Sequence, residues 1–304
     1  GPPCSFRTMP RAALIQFALV VAIFGAAAPM IQFGLVDATP TWFAFWRALL
    51  SAATTAALVG SRGGLAMPAR ADVPVVLAVG VCQIGVFFAL LHLALTLVPA
   101  GRATLLAYTT QLWLVPISAL ALAERPGPRR LLAVALGLAG IVVLADPAAA
   151  PVAGVALLLA ASLSWAVAIA VLRATRPAAP LVLLLPWQFA LAALVLLPVA
   201  AVLEPAGGVA VTRHSVAALA FLGVFGGPLA TWAANSVSRA LPALVTSIGF
   251  LGVPLVSLAL SALFLGERVT PRLVLGATLI LAALLVLAVR RALPPAPGSG
   301  ITGR

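Results

Sequence analysis

Thr104, Tyr108, Gln111 and Val115 follow one another at intervals of four, three and four residues, so a helix would carry all of them on one face. Tyr108 is the sole tyrosine of the chain, and Gln111 places an amide inside a long apolar run. Gln83, His92, Ser164 and Arg47 are other polar groups within such runs, and Trp165 and Trp232 lie in runs of the same kind. These side chains can hydrogen-bond and stack, but they offer no paired acids for hydrolysis. Asp37, Asp72, Asp146 and Glu204 fall between the apolar runs, and Glu124 and Glu267 fall at their ends. Cys4, Cys82, His92 and His214 do not have the spacing of metal ligands, so neither a metal nor a cofactor is expected. The chemistry on offer is recognition, in which aromatic surface takes up an apolar body and amide and phenol groups orient it.

The elements that position these groups follow from composition. The chain has 304 residues, 63% hydrophobic and 8% charged, with a mean hydropathy of +1.21. A soluble domain carries about 25% charged residues, so a membrane protein is expected. The apolar stretches are continuous rather than alternating, which favours helices over barrel strands. Ten spans are predicted, at 12–33, 41–60, 73–95, 101–122, 129–145, 152–173, 180–203, 214–237, 241–264 and 271–289. The first is too long for a signal peptide and is kept as a helix. Residues 1–8 and 298–304 read as cloning-derived or disordered tails, with Met9 a native start. All 18 basic residues are Arg. They stand singly or in small groups between apolar runs, as in membrane loops, so nucleic acid is not an expected partner. The expected partners are the lipid bilayer and a small-molecule substrate.

The hexapeptide ERPGPR at 124–129 returns as ERVTPR at 267–272, 143 residues on. With that offset Pro99 falls on Pro242, Ser118 on Ser261 and Pro128 on Pro271. An offset of 141 puts Arg47 on Gln188 and Phe24 on Trp165. The chain therefore reads as two five-helix repeats, 12–145 and 152–289. Five is odd, so the second is inverted, a common transporter design. A cytoplasmic N-terminus puts 13 Arg in inside segments and four (Arg102, Arg213, Arg268, Arg272) outside, so both termini are expected in the cytoplasm. In the hexapeptide, Glu closes one helix and Pro opens the next; a gating salt bridge is the alternative.

This layout, with TPTWFAFWRALLSA (39–52), PAGRATLLAYTTQLWLVPISALALAERP (99–126) and SIGFLGVPLVSLALSALFLGERVTPRLVLGATLIL (247–281), resembles the drug/metabolite transporter superfamily. Within it the chain is similar to the EamA-type permeases, most of all an aromatic amino-acid exporter of the YddG type. The resemblance spans about residues 12–289 and implies alternating access in a bacterial inner membrane. One departure concerns the fourth helix, where the family carries a central proline, as Pro254 stands in the ninth. Gln111 occupies that place, so the fourth helix is expected to bend elsewhere.

Two readings stay open for Arg47, the one charge well inside a span: holding backbone carbonyls at a helix interface, or meeting a substrate carboxylate. For His92 the readings are an interhelical hydrogen bond or proton transfer. Gly226, Gly227 and Pro228 are expected to kink or locally unwind the eighth helix. The candidate substrate residues are Gln83, His92, Tyr108, Gln111, Ser164, Trp165 and Trp232. Arg47, Gly226, Gly227, Pro228 and Pro254 are the candidates for structure or gating. The function expected is transport of small metabolites, neutral or aromatic amino acids foremost. The alternative is a permease for organic anions or phosphorylated sugars that uses Arg47. Without an interior acid, an intramembrane enzyme is not expected.

Overall fold

The computed structural model describes residues 11–122, 126–146, 150–175, 177–231, 233 and 248–291. The regular elements among them are helices, with one isolated antiparallel bridge between Ala38 and Val209. In chain order α1 is Arg11–Gly34 and α2 is Pro40–Gly60. α3 covers Arg70–Leu95. α4 comes in two pieces, Ala100–Ala107 and Thr110–Leu122, and α5 is Pro128–Leu144. Then follow α6 (Val152–Ala174), α7 (Leu181–Leu203) and α8 (Arg213–Ala220, running on into Phe221–Leu229). α9 is Gly252–Phe264 and α10 is Pro271–Arg291. Seven of these (α1, α2, α3, α4, α6, α7 and α10) are long and apolar enough to cross a membrane. α5 and α9 are shorter, with 17 and 13 residues. Proline opens α2, α5 and α10, where its missing N–H costs nothing.

Two helices widen at matching places. Ala78–Val86 in α3 and Phe221–Leu229 in α8 are π-helical, and the second begins 143 residues after the first, the offset of the repeated hexapeptide. The expected kink at Gly226–Gly227–Pro228 takes this form: Pro228 has no N–H to donate, and the wider turn accommodates it. The segment in α3 has no proline. There Gly80 lets α7 approach so closely that a Cβ would lie 2.9 Å from the Gln188 carbonyl.

α4 breaks at Tyr108–Thr109, and a turn at Phe250–Leu251 precedes α9 in the matching region of the second half. The bend therefore lies just ahead of Gln111, as the turn before α9 lies just ahead of Pro254, and replacing the proline did not move it elsewhere. Threonine hydroxyls offer the reason. Thr109 donates to the Leu106 carbonyl at 2.6 Å and Thr110 to the Ala107 carbonyl at 2.8 Å, competing with the helical ladder.

Corresponding helices of the halves lie together: α2 packs on α7, α4 on α9 and α5 on α10. The last pair meets through glycines. A Cβ on Gly140 would stand 3.1 Å from the Gly276 carbonyl, and one on Gly276 3.3 Å from that of Gly140. Small residues of this kind let membrane helices approach where no hydrophobic force drives them together. The bundle has two ends. One gathers the connections after α1, α3, α5, α7 and α9 and holds Asp37, Asp146, Glu204 and Glu267. The other holds Asp72, Arg129, Arg130 and Arg173.

Candidate functional site

Three adjoining cavities lead from mid-bundle to the arginine-rich end. The central one, of about 340 Å³, has Arg47, Gln83, Thr104 and Tyr108 among its polar walls, with Trp165 and five phenylalanines as its apolar walls. The second, also about 340 Å³, shares Tyr108 and Trp165 with the first and adds Gln111. The third, about 370 Å³, shares Gln111 and is ringed by Arg129, Arg130 and Arg173. Thr104, Tyr108, Gln111 and Val115 succeed one another along this path. The break at Tyr108 turns the second piece of α4 so that its first residues continue the lining.

Each side chain is placed by its helix. Gln83 comes from the π-helical part of α3 and the Gly226–Gly227 backbone from that of α8, so both widened segments border the central chamber. Trp165 of α6 meets Phe87 edge-on, with centroids 4.5 Å apart. Arg47 is 5% exposed, its Cζ 4.0 Å from the centre of the Phe88 ring. Its Nε and Nη1 have no hydrogen-bond partner among the described residues. The carbonyl-holding role is thus not the arrangement of these two nitrogens. The carbonyl of Phe88, whose ring lies under the guanidinium, is instead taken by His92 Nδ1 at 2.6 Å.

Other candidates lie away from the chamber. His92 is fully buried between Phe43 and Phe88 and is not among the lining residues. Ser164 donates to the Cys82 carbonyl at 2.8 Å, tying α6 to α3. Pro254 is buried in the first turn of α9. Trp232 lies outside the described residues, as does Glu124. Trp113 turns away from the path and donates to Ser162 Oγ at 2.9 Å. The phenylalanine walls were not singled out in the sequence. Phe24 had a signal, since the 141-residue offset sets it on Trp165, and both line the central chamber. Among the described residues, no three His, Cys, Asp or Glu gather as a metal site requires.

The acid-rich end is closed by carboxylates set on helix N-termini. Glu204, following α7, accepts from the backbone N–H of Thr41 at 3.1 Å and of Trp42 at 3.3 Å, at the start of α2. Glu267, following α9, accepts from the N–H of Gly101 at 2.9 Å and of Arg102 at 3.3 Å, at the start of α4. The Ser261 hydroxyl donates to Glu267 at 2.5 Å. An acid at a helix start meets both unpaired donors and the positive end of the dipole. The glutamate of the hexapeptide therefore caps a partner helix in the other half. It also faces the Arg102 guanidinium at 3.9 Å, while Arg102 and Arg272 each lie 3.7 Å from Asp146. At the same end Asp37 accepts from Thr212 at 2.6 Å and from His214 at 2.8 Å. The Thr212 hydroxyl, then the His214 ring, hold the Asp37 carboxyl below its ordinary pKa.

Comparison with known proteins places this architecture. The model of the EamA-like transporter family matches the chain twice, over residues 11–145 and 152–289. Protein PecM of Dickeya dadantii (strain 3937) is 30% identical over 213 residues, 68% of this chain and 71% of PecM. A solved crystal structure aligns with a TM-score of 0.61 at 23% identity, covering 92% of this chain and 98% of its own. At that identity the likeness speaks for the fold alone.

Proposed function

The chain belongs to the EamA-like transporter family, and from that premise we propose that it exports or exchanges small, largely apolar metabolites across a bacterial inner membrane by alternating access. The favoured substrates are neutral and aromatic amino acids, as in the YddG-type exporters that the sequence resembles. In this reading all ten helices cross the membrane as two inverted five-helix repeats, with both termini in the cytoplasm. The arginine-rich end then faces the cytoplasm, and the structure is the inward-open form.

The observation that carries this reading is the central chamber between the halves. Its Trp and Phe walls supply apolar contact, while Gln83 and Tyr108 can orient a bound molecule. Inverted-repeat transporters hold their substrate at such a place. No carboxylate stands in the interior of an apolar span, Asp72 lying in the first turn of α3, so transport is expected to run down a substrate gradient without a pH gradient. Counterflow of labelled phenylalanine in proteoliposomes, with and without an imposed pH gradient, tests this. Trp165→Ala should weaken apparent affinity about 10- to 100-fold, the value of one buried aromatic contact. Trp113→Ala, off the path, should change affinity less. Strict dependence on a proton gradient, or affinity indifferent to Trp165, defeats the reading. The organic-anion alternative draws its support from Arg47 and the three arginines at the mouth.

A further inference from the structure

We propose that Arg47 is the carboxylate subsite of the central chamber, and that the chamber accordingly prefers an aromatic monocarboxylate to the zwitterion or the amine built on the same apolar body. The inference rests on one part of the reading above, that the chamber holds the substrate; on substrate class it sides with the organic-anion alternative over the amino acids.

Three independent features converge. The first is Arg47 itself, 5% exposed, lining the chamber, with Nε and Nη1 lacking partners among the described residues. A buried guanidinium in that condition is costly, and an anion lying against its planar fork would supply the missing acceptors. The ring of Phe88 at 4.0 Å offers a cation–π contact to the face of the guanidinium but accepts none of its N–H groups.

The second feature is the lack of a counter-charge. The chain has six acids; Asp37, Asp72, Asp146, Glu204 and Glu267 stand at the ends of the bundle, and none lines the chamber among the described residues. An α-ammonium brought in beside Arg47 would meet a like charge in a medium of low dielectric. The neutral groups left to receive it are few. Thr104 Oγ1 already donates to the Ala100 carbonyl at 2.9 Å and shares a 2.7 Å contact with Ser257. The Gln83 amide and the Tyr108 and Thr231 hydroxyls remain, all of them uncharged.

The third is the approach. The path from the arginine-rich end begins among Arg129, Arg130 and Arg173, and continues past neutral residues to the chamber of Arg47. A positive mouth between apolar walls raises the local concentration of anions. The same sign of charge stands at the entry and at the end of the path.

The test compares four ligands that share one phenyl group and short chain: 3-phenylpropionate, 3-phenylpropanamide, phenylalanine and phenethylamine. Binding is measured by calorimetry on the full chain in nanodiscs. The wild type should bind 3-phenylpropionate most tightly, phenylalanine less tightly and phenethylamine weakest, and this ranking needs no variant. Arg47→Gln should weaken the carboxylate about 10- to 100-fold, the range for a hydrogen bond to a charged group, and leave the amide nearly unchanged. Arg47→Lys should keep the order of acid over amine with reduced affinity for the acid. A purely structural Arg47 would weaken all four together, and that result overturns the inference. A wild type that binds acid and amine equally overturns it too, and leaves the aromatic chamber intact. If none of the four binds the wild type, the aromatic-chamber reading itself falls.

Discussion

At the acid-rich end, carboxylates sit on backbone N–H groups of the opposite half; at the arginine-rich end, guanidinium groups ring an opening. Glu204 and Glu267 each follow a helix of the second half and cap the matching helix of the first, α7 onto α2 and α9 onto α4. At the other end Asp72, at the start of α3, accepts from the N–H of Ala178 at 2.7 Å and of Ala179 at 3.2 Å, ahead of α7, and Trp187 of α7 donates to the Ala66 carbonyl at 2.9 Å. The packing of matching helices makes such joins available, since the end of one helix meets the start of its counterpart. The difference teaches that closure here is directional hydrogen bonding at helix starts, which can be undone without tearing open an apolar core.

The strongest blow to this picture is Glu267→Ala. Glu267 and Arg102 are each 3% exposed, so the substitution leaves a buried guanidinium short of one of its anions as well as two uncapped amides. Removing one partner of a buried pair costs about 3–5 kcal/mol. Glu204→Ala removes caps from Thr41 and Trp42 and should cost about 1 kcal/mol. Thermal unfolding in detergent orders the two variants. If Glu204→Ala proves the more damaging, Arg102 does not depend on Glu267.

A milder contrast uses one substitution at both ends. A Cβ on Gly101 would lie 2.7 Å from Glu267 Oε2 and 2.9 Å from the Leu258 backbone, so Gly101→Ala must displace the cap or part α4 from α9. Overpacking of this kind costs about 1–3 kcal/mol. Gly127, at the arginine-rich end, has nothing within 4 Å of such a Cβ, and its φ of −68° suits any residue. Gly127→Ala should leave the melting temperature within about 1 °C of wild type, well inside the effect expected for a neutral surface change. Equal losses at the two glycines would show that the ends are not packed differently.

Much of this was legible in sequence because it is local or periodic. The repeat offset seen in ERPGPR and ERVTPR reappears as the spacing of the two π-helical segments, and among the described residues seven helices are long and apolar enough to cross a membrane. The spacing of Thr104, Tyr108, Gln111 and Val115 describes one helix face whether or not the helix then bends. What escaped notice depends on contacts distant in sequence. Glu267 lies 166 residues from the Gly101 amide it caps. The π-helical turn at Gly80 answers to the backbone of α7, and the bend at Tyr108 forms without a central proline to signal it. The wall of phenylalanines has the composition of any apolar helix face. Arg47 was visible as a charge, but its want of partners appears only once α2 and α3 are packed.

The smallest effect expected comes from Asp37, at the rim of the closed end. Its carboxylate holds the Thr212 hydroxyl and the His214 ring, and through them joins the loop after α1 to the start of α8. Hydrogen bonds from Thr212, then from His214, favour the ionised form, so the folded-state pKa lies below the unfolded one. For a carboxyl shifted downward, the stabilisation is fully present above the unfolded value, about 4, and is lost as pH falls through the folded value. Asp37→Asn should therefore melt slightly lower than wild type at pH 6–7, with the gap closing as pH drops below about 4. The group is open to solvent, so added salt should also shrink the gap. Parallel melting curves at pH 7 and pH 3.5, in low and high salt, measure it. A gap that is the same at both pH values and insensitive to salt would mean that the asparagine disturbs the Thr212 cap by its shape, and that the charge of Asp37 does not hold the rim.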